Sequence, residues 1–164
     1  MTEKKIRNIL FVCTGNTCRS PMAEAIAKRI LSNEFSEHIF YISSCGTSAF
    51  EDQPASFEAV ETMKKTGLDI SGHRSRHVSE NILENADIVF TMTESHKNIL
   101  ENIYKKQSSK VRILKEFANI KGTNNSFDID DPVGMGPETY KLCSKELEDS
   151  IIKAVEKLRT GGLI

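Results

Sequence analysis

The sequence predicts an α/β fold: a single doubly wound domain in which a four-stranded parallel sheet is flanked by helices. Three observations carry that expectation. Short apolar runs alternate with amphipathic helical stripes along the chain, and such alternation builds right-handed crossovers over a parallel sheet. The first run, Ile9-Leu10-Phe11-Val12, is continuously apolar, as a strand covered on both faces must be. The 164 residues also contain no repeat, no low-complexity segment and no dividing linker, so one domain is expected over 1–164.

After the first strand, Met22, Ala23, Ile26, Ala27 and Ile30 recur at helical spacing, with Ser20 as the expected N-cap and Pro21 as the first helical residue. Ile39 to Ile42 reads as the second strand, ending in the small-residue stretch Ser43 to Ser48. Pro54 to Thr66 reads as a helix with Phe57, Val60 and Met63 inward and Gly67 as its stop. Ser79 to Asn85 is a short helix leading into a third strand at Ile88 to Phe90. Glu94 to Lys105 carries the stripe Ile99, Leu100, Ile103 and Tyr104, and Val111 to Leu114 follows as the fourth strand. Lys121 to Pro132, rich in Gly, Asn, Ser and Asp, reads as an exposed loop. Pro137 to Arg159 is a long amphipathic helix with Tyr140, Cys143, Leu147, Ile151, Ala154 and Leu158 on one face, and Gly161-Gly162 suggests a frayed tail.

Composition narrows the function. Lys and Arg number 22 against 23 Asp and Glu, a net charge of −1, which argues against a nucleic-acid binder or a polybasic membrane-surface protein. No window reads as a membrane span or a signal peptide, so a cytoplasmic location is expected. Cys13, Cys18, Cys45 and Cys143 then sit in a reducing compartment and lack zinc spacing. A special cysteine among them is a nucleophile rather than a staple, and Cys45 and Cys143 read as packing residues.

In doubly wound folds ligands bind beyond the carboxyl ends of the strands, which directs attention to residues 13–20, CTGNTCRS. A tight loop between a buried strand and a helix start gathers backbone N–H groups and the positive end of the helix dipole around one centre, an anion site. Gly15 is expected to relax the backbone there. Arg19 offers a planar fork that matches two phosphate oxygens. Cys13 opens into the same field, which favours its thiolate and invites in-line attack on a bound phosphorus, giving a phosphocysteine.

The stretch FVCTGNTCRSPMAEA closely resembles the phosphate loop of the low-molecular-weight protein phosphatase family, with Cys-x5-Arg-Ser directly after the first strand. The resemblance continues through Ser44-x-Gly-Thr, Met92 to Ser95 and Asp131-Pro132. It implies that Cys13 is the nucleophile, Arg19 the phosphate ligand, and Asp131 the general acid and later the base. An isolated Asp-Pro otherwise reads as a turn, and Asp128 and Asp130 are neighbours that the residues alone leave open. Thr14, Gly15, Asn16, Thr17, Cys18 and Ser20 would surround the phosphoryl group, and Phe50 is a candidate aromatic lip. Asn16, Ser20, Ser44 and His73 match positions that brace the loop. Cys18 matches a second cysteine that can pair with the nucleophile against over-oxidation; a small residue valued for its N–H is the other reading. His38, His77 and His96 carry no motif and are taken as surface or packing residues.

Thr17 bears on the substrate. Members acting on phosphotyrosine commonly carry Ile there, as in CLGNICRS, whereas CTGNTCRS resembles the bacterial protein-arginine phosphatases. A threonine hydroxyl can meet the planar guanidinium of phosphoarginine, while Ile suits a phenyl ring. Val133-Gly134 follow Asp131-Pro132 in place of the paired tyrosines of many eukaryotic members, which removes an aromatic wall. Phosphoarginine on proteins is the expected substrate, with phosphotyrosine the alternative. An arsenate reductase would need further cysteines, and residues 46–142 contain none. A phosphopeptide-binding module would dispense with Cys13 and Asp131. No metal or organic cofactor is expected, because the loop amides and Arg19 supply the positive charge. The partners are then a phosphorylated protein and phosphate-like anions, and a monomer fits.

Overall fold

The computed structural model describes residues 5–164. Strands β1 (Asn8–Cys13), β2 (Tyr41–Gly46), β3 (Ile88–Thr91) and β4 (Val111–Ile113) form one parallel sheet in the order β2-β1-β3-β4. The helices are α1 (Arg19–Glu34), α2 (Phe57–Lys65), α3 (Glu80–Asn85), α4 (Glu94–Ile103), α5 (Leu114–Phe117) and α6 (Pro137–Thr160). Alternation along β1 divides the core. Ile9, Phe11 and Cys13 join α1, α2 and α6 on one face, while Leu10 and Val12 join Leu83, Val89, Leu100 and Val111 on the other. The Phe11 and Phe90 rings, 5.8 Å apart, stack across β1 and β3 on the first face. Strand order reverses between β1 and β3, so the crevice at their carboxyl ends is where Cys13 emerges.

Several elements differ from the sequence reading. The second strand begins at Tyr41 and runs through Ser43-Ser44-Cys45-Gly46, paired residue by residue with Leu10 to Cys13. Ile39, expected within it, is 70% exposed. Small residues form the strand here because its last part packs under the loop that follows β1. Helix α1 starts at Arg19 with Cys18 as its cap and no side-chain cap bond. Ser20 therefore lies inside the first turn, where its hydroxyl is drawn to Cys13, and Pro21 sits in that turn rather than at its first position. Phe57, expected inward, is exposed: Ser56 caps α2 by accepting from the Ala59 N–H, and that register buries Ala59, Thr62 and Met63.

Helix α4 ends at Ile103, which is exposed, and buries Leu100. Leu114 opens the short helix α5 instead of closing β4. Helix α6 matches its expected face: Tyr140, Cys143, Leu147, Ile151, Ala154 and Leu158 are all buried. The tail is not frayed. Gly162 turns at φ 70°, the Leu163 N–H returns to the Leu158 carbonyl, and the Leu163 carbonyl accepts from the Ile6 N–H at 2.7 Å. Among the described residues no helix is long and apolar enough to cross a membrane.

Candidate active site

The loop from Cys13 to Arg19 closes around its own side chains. Asn16 is its centre, fully buried with φ at 55°, a left-handed conformation that asparagine tolerates better than most residues. The conformational freedom expected of Gly15 is thus required at Asn16 instead, and a Cβ on Gly15 would meet only ordinary contact, 3.5 Å from Thr17 Oγ1. Four hydrogen bonds hold Asn16 in place. Its Nδ2 donates to Ser20 Oγ (2.8 Å) and Ser44 Oγ (3.0 Å), its Oδ1 accepts from the Arg76 N–H (3.0 Å), and its carbonyl accepts from His73 Nε2 (2.7 Å). A carbonyl only accepts, so His73 carries its proton on Nε2. The Ser44 hydroxyl in turn donates to Glu24 Oε2 at 2.6 Å.

This network aims at the Cys13 sulfur. Ser20 Oγ lies 2.9 Å from Sγ and the Asn16 N–H donates to it at 3.3 Å. Ser20 Oγ accepts from Asn16, and its hydroxyl proton faces the sulfur at 2.9 Å and, farther off, the Cys45 carbonyl at 3.4 Å. Two donors converging on Sγ are what a thiolate requires. Gly46 lets β2 pass directly beneath: a Cβ there would come within 2.3 Å of the Thr14 carbonyl oxygen and 3.0 Å of the Asn16 nitrogen. Thr47 and Ser48 N–H groups then donate to the Cys13 and Thr14 carbonyls.

Arg19 is 4% exposed although it is charged. Its Nη1 donates to the Ile129 carbonyl at 3.0 Å, its Nη2 pairs with Asp131 Oδ2 at 3.0 Å and approaches Thr14 Oγ1 at 3.5 Å, and its buried Nε has no partner among the described residues. An unsatisfied donor on a buried guanidinium is costly unless an anion completes it, and a phosphoryl oxygen has that chemistry. The acid loop is tied down at its near end. Asp128 Oδ1 caps α4 through the Glu94 N–H, the Ile129 N–H donates to the Met92 carbonyl, and buried Lys115 holds the Asp128 carbonyl and Glu146. Asp128 is thereby committed to α4, Asp130 is exposed, and Asp131 meets Arg19.

Cys18 Sγ lies 3.3 Å from both Ser56 Oγ and Tyr140 Oη. Burial pushes the Cys45 and Cys143 thiols up to about 12, which keeps them unreactive. Thr17 Oγ1 makes only a 3.8 Å approach to Cys18 Sγ. Phe50 stands 82% exposed on the loop after β2, its carbonyl held by Ser75 Oγ. The structure thus gathers Cys13, Asn16, Arg19, Ser20, Ser44, His73 and Asp131. A groove of about 640 Å³ beside α1 and β2, lined by residues such as Lys28, Phe40 and Leu68, includes none of them.

Sequence reasoning missed Glu24, Arg76, Lys115 and, most of all, His96. Expected as a surface or packing residue without a motif, His96 is 4% exposed and bonds Thr14 Oγ1 through Nε2 (2.7 Å) and Thr93 Oγ1 through Nδ1 (2.9 Å). Burial, reinforced by the Arg19 charge and opposed by Asp131 and Asp128, lowers its pKa to about 4, so it is neutral near pH 7. The spacing Thr93-x-x-His96 signals a helix cap, but nothing in it points back to Thr14.

The description of the low molecular weight phosphotyrosine protein phosphatase family matches residues 8–161. A protein-arginine-phosphatase of Bacillus subtilis is 36% identical over 152 residues, covering 93% of this chain and 97% of that protein. The crystal structure of a low molecular weight protein tyrosine phosphatase from T. tengcongensis is 44% identical, with a TM-score of 0.83 over 93% of this chain and 99% of that one. The structure of a cysteine-to-serine mutant of YwlE arginine phosphatase, with a phosphorylated active site serine, is 35% identical with a TM-score of 0.84, covering 93% of this chain and 95% of that one.

Proposed function

The chain belongs to the low molecular weight phosphotyrosine protein phosphatase family and is a cysteine-dependent protein phosphatase, and on that premise we propose that its substrate is phosphoarginine on proteins. The observation that carries the catalytic reading is the convergence on one loop of Cys13 Sγ, with its two donors, and buried Arg19, with its unpartnered Nε and its Asp131 neighbour.

In this reading the phosphoryl oxygens lie among the N–H groups of residues 14–19 and on Arg19, displacing the Asp131 carboxylate from the guanidinium. The Cys13 thiolate attacks phosphorus in line. The P–N bond breaks, its electron pair goes to the guanidine nitrogen, and Asp131, which takes up a proton from solvent once displaced from Arg19, supplies that proton. Asp131, now ionised, takes a proton from water, whose oxygen attacks phosphorus; the S–P bond breaks and the thiolate returns. Asn16, Ser20, Ser44 and His73 hold the loop in the geometry that attack needs. No metal or organic cofactor takes part, and the reading takes the enzyme as a cytoplasmic monomer with Cys18 as a partner for Cys13 under oxidation.

Thr17 supports arginine over tyrosine, because its hydroxyl has no strong partner within the described residues and is open to a polar planar group. Exposed Phe50, able to cover a phenyl ring, supports the second reading, phosphotyrosine. Hydrolysis of matched phosphoarginine and phosphotyrosine peptides by wild type and Thr17→Ile tests the choice. Preference for phosphoarginine, lost or reversed by the substitution, is the expected result. Preference for phosphotyrosine, unmoved by Thr17→Ile, would return the enzyme to the tyrosine branch. Cys13→Ser should bind phosphate and lose turnover; unchanged turnover would sink the covalent mechanism.

A further inference from the structure

We infer that His96 is a positioning residue, which makes the Thr14 hydroxyl an oriented donor to a non-bridging phosphoryl oxygen. The inference rests on the reading of the Cys13 loop as the phosphate site and adds a donor that the loop backbone does not supply.

The inference takes the ring tautomer in which His96 Nδ1 accepts, one of the two that its contacts with Thr14 and Thr93 allow. Thr93 Oγ1 accepts from the His96 backbone N–H at 3.2 Å, so its single hydroxyl proton is available for His96 Nδ1 at 2.9 Å. With Nδ1 accepting, the neutral ring carries its proton on Nε2 and donates it to Thr14 Oγ1 at 2.7 Å. Thr14 Oγ1 also accepts, at 3.5 Å, from Arg19 Nη2. Both acceptor positions of the Thr14 hydroxyl are then used, and its own O–H is left for an incoming oxygen. Thr14 is an exposed residue beside Arg19 on the anion loop, so that oxygen belongs to the phosphoryl group. The ring is buried and fixed at both nitrogens, which means the hydroxyl is oriented before substrate arrives, the condition under which a donor contributes most to a charged transition state.

The test separates the ring's role in capping α4 from its role at Thr14. In His96→Asn the short amide can still accept from Thr93 but cannot reach Thr14; in His96→Gln the longer amide can donate where Nε2 did. Thr14→Val removes the receiving hydroxyl and keeps the buried ring, with its bond to Thr93, in the chain. On a phosphoarginine peptide, with a phosphotyrosine peptide run beside it, His96→Asn and Thr14→Val should each lower kcat/KM about tenfold, the scale of one hydrogen bond to a charged group. Both should weaken inhibition by inorganic phosphate. The double variant should be no worse than either single one, and His96→Gln should stay within about threefold of wild type.

Thr14→Val requires its own loss at an unchanged melting temperature even where His96→Asn does not fold. Wild-type kinetics in Thr14→Val, losses that multiply in the double variant, or His96→Gln as poor as His96→Asn would each overturn the inference and leave the phosphatase reading standing. A wild-type protein that neither binds phosphate nor hydrolyses either peptide would overturn both.

Discussion

Replacing Asp131 with asparagine should slow catalysis and tighten phosphate binding at once. In the free protein the Asp131 carboxylate sits 3.0 Å from Arg19 Nη2, on the guanidinium that must receive the phosphoryl oxygens. Substrate has to displace it. The Asp131 side chain is 40% exposed while that of Arg19 is 4% exposed, so water and salt screen the pair and its worth is at the upper end for surface pairs, about 1 kcal/mol. Asp131→Asn removes that competitor, and inorganic phosphate should bind about fivefold more tightly. The gain should shrink as ionic strength rises, because the screening length falls from about 10 Å at 0.1 M to about 3 Å at 1 M salt. Turnover should move the other way. A guanidine nitrogen leaves poorly without a proton, and loss of a positioned acid costs about 10²–10⁴ in rate. Calorimetric titration with phosphate, read beside steady-state hydrolysis of a phosphoarginine peptide, checks both. Phosphate bound no more tightly by Asp131→Asn would refute the competition argued from the ion pair, and an undiminished kcat would refute Asp131 as the acid.

Three further outcomes are expected. Gly46→Ala should cost both stability and at least about tenfold in activity, since its Cβ would drive against the Thr14 carbonyl and the Asn16 nitrogen, both backbone atoms of the anion loop; wild-type melting and kinetics together would contradict this. Buried His96 titrates at about 4 in the folded chain against 6.5 as its ordinary value. Its folded pKa is depressed, so below pH 6.5 the unfolded chain takes up a proton that the folded one refuses, and stability falls as pH drops from about 6.5 towards 4. Urea denaturation should show wild type losing about 2 kcal/mol more than His96→Gln between pH 8 and pH 5, and parallel pH profiles would count against a buried neutral ring. Lys115→Met keeps the buried stem but releases Glu146 and the Asp128 carbonyl. Because the Glu146 side chain is 35% exposed and can rehydrate, the loss should be about 1–2 kcal/mol, well short of that for a fully buried pair. A fall in kcat should accompany it as the acid loop loosens.

What could be read from the sequence shares one physical property: the interacting groups lie close along the chain. Cys13, Asn16, Arg19 and Ser20 sit on one strand-loop-helix unit, whose backbone closes into an anion site wherever it is placed. The parallel sheet and the buried face of α6 follow from periodicity alone. The tertiary structure decided the contacts made between distant segments. His96 reaches Thr14 across 82 positions, Lys115 reaches Glu146 across 31, and Arg76 reaches Ser44 across 32. None of these pairs leaves a local pattern, because the contacts arise only when α4 and the loop before α3 pack against β1, β2 and the anion loop, and α5 packs against α6. The same holds for the two glycines. Gly15 stands in the motif, yet the steric demand falls on Gly46, because β2 passes under the loop. Ser20 could be read from the sequence either as a cap or as a donor to sulfur, and the start of α1 two residues before the expected position leaves it beside Cys13. A sequence specifies which groups its own backbone can bring together, whereas a buried polar side chain takes the partner that packing leaves within hydrogen-bond reach.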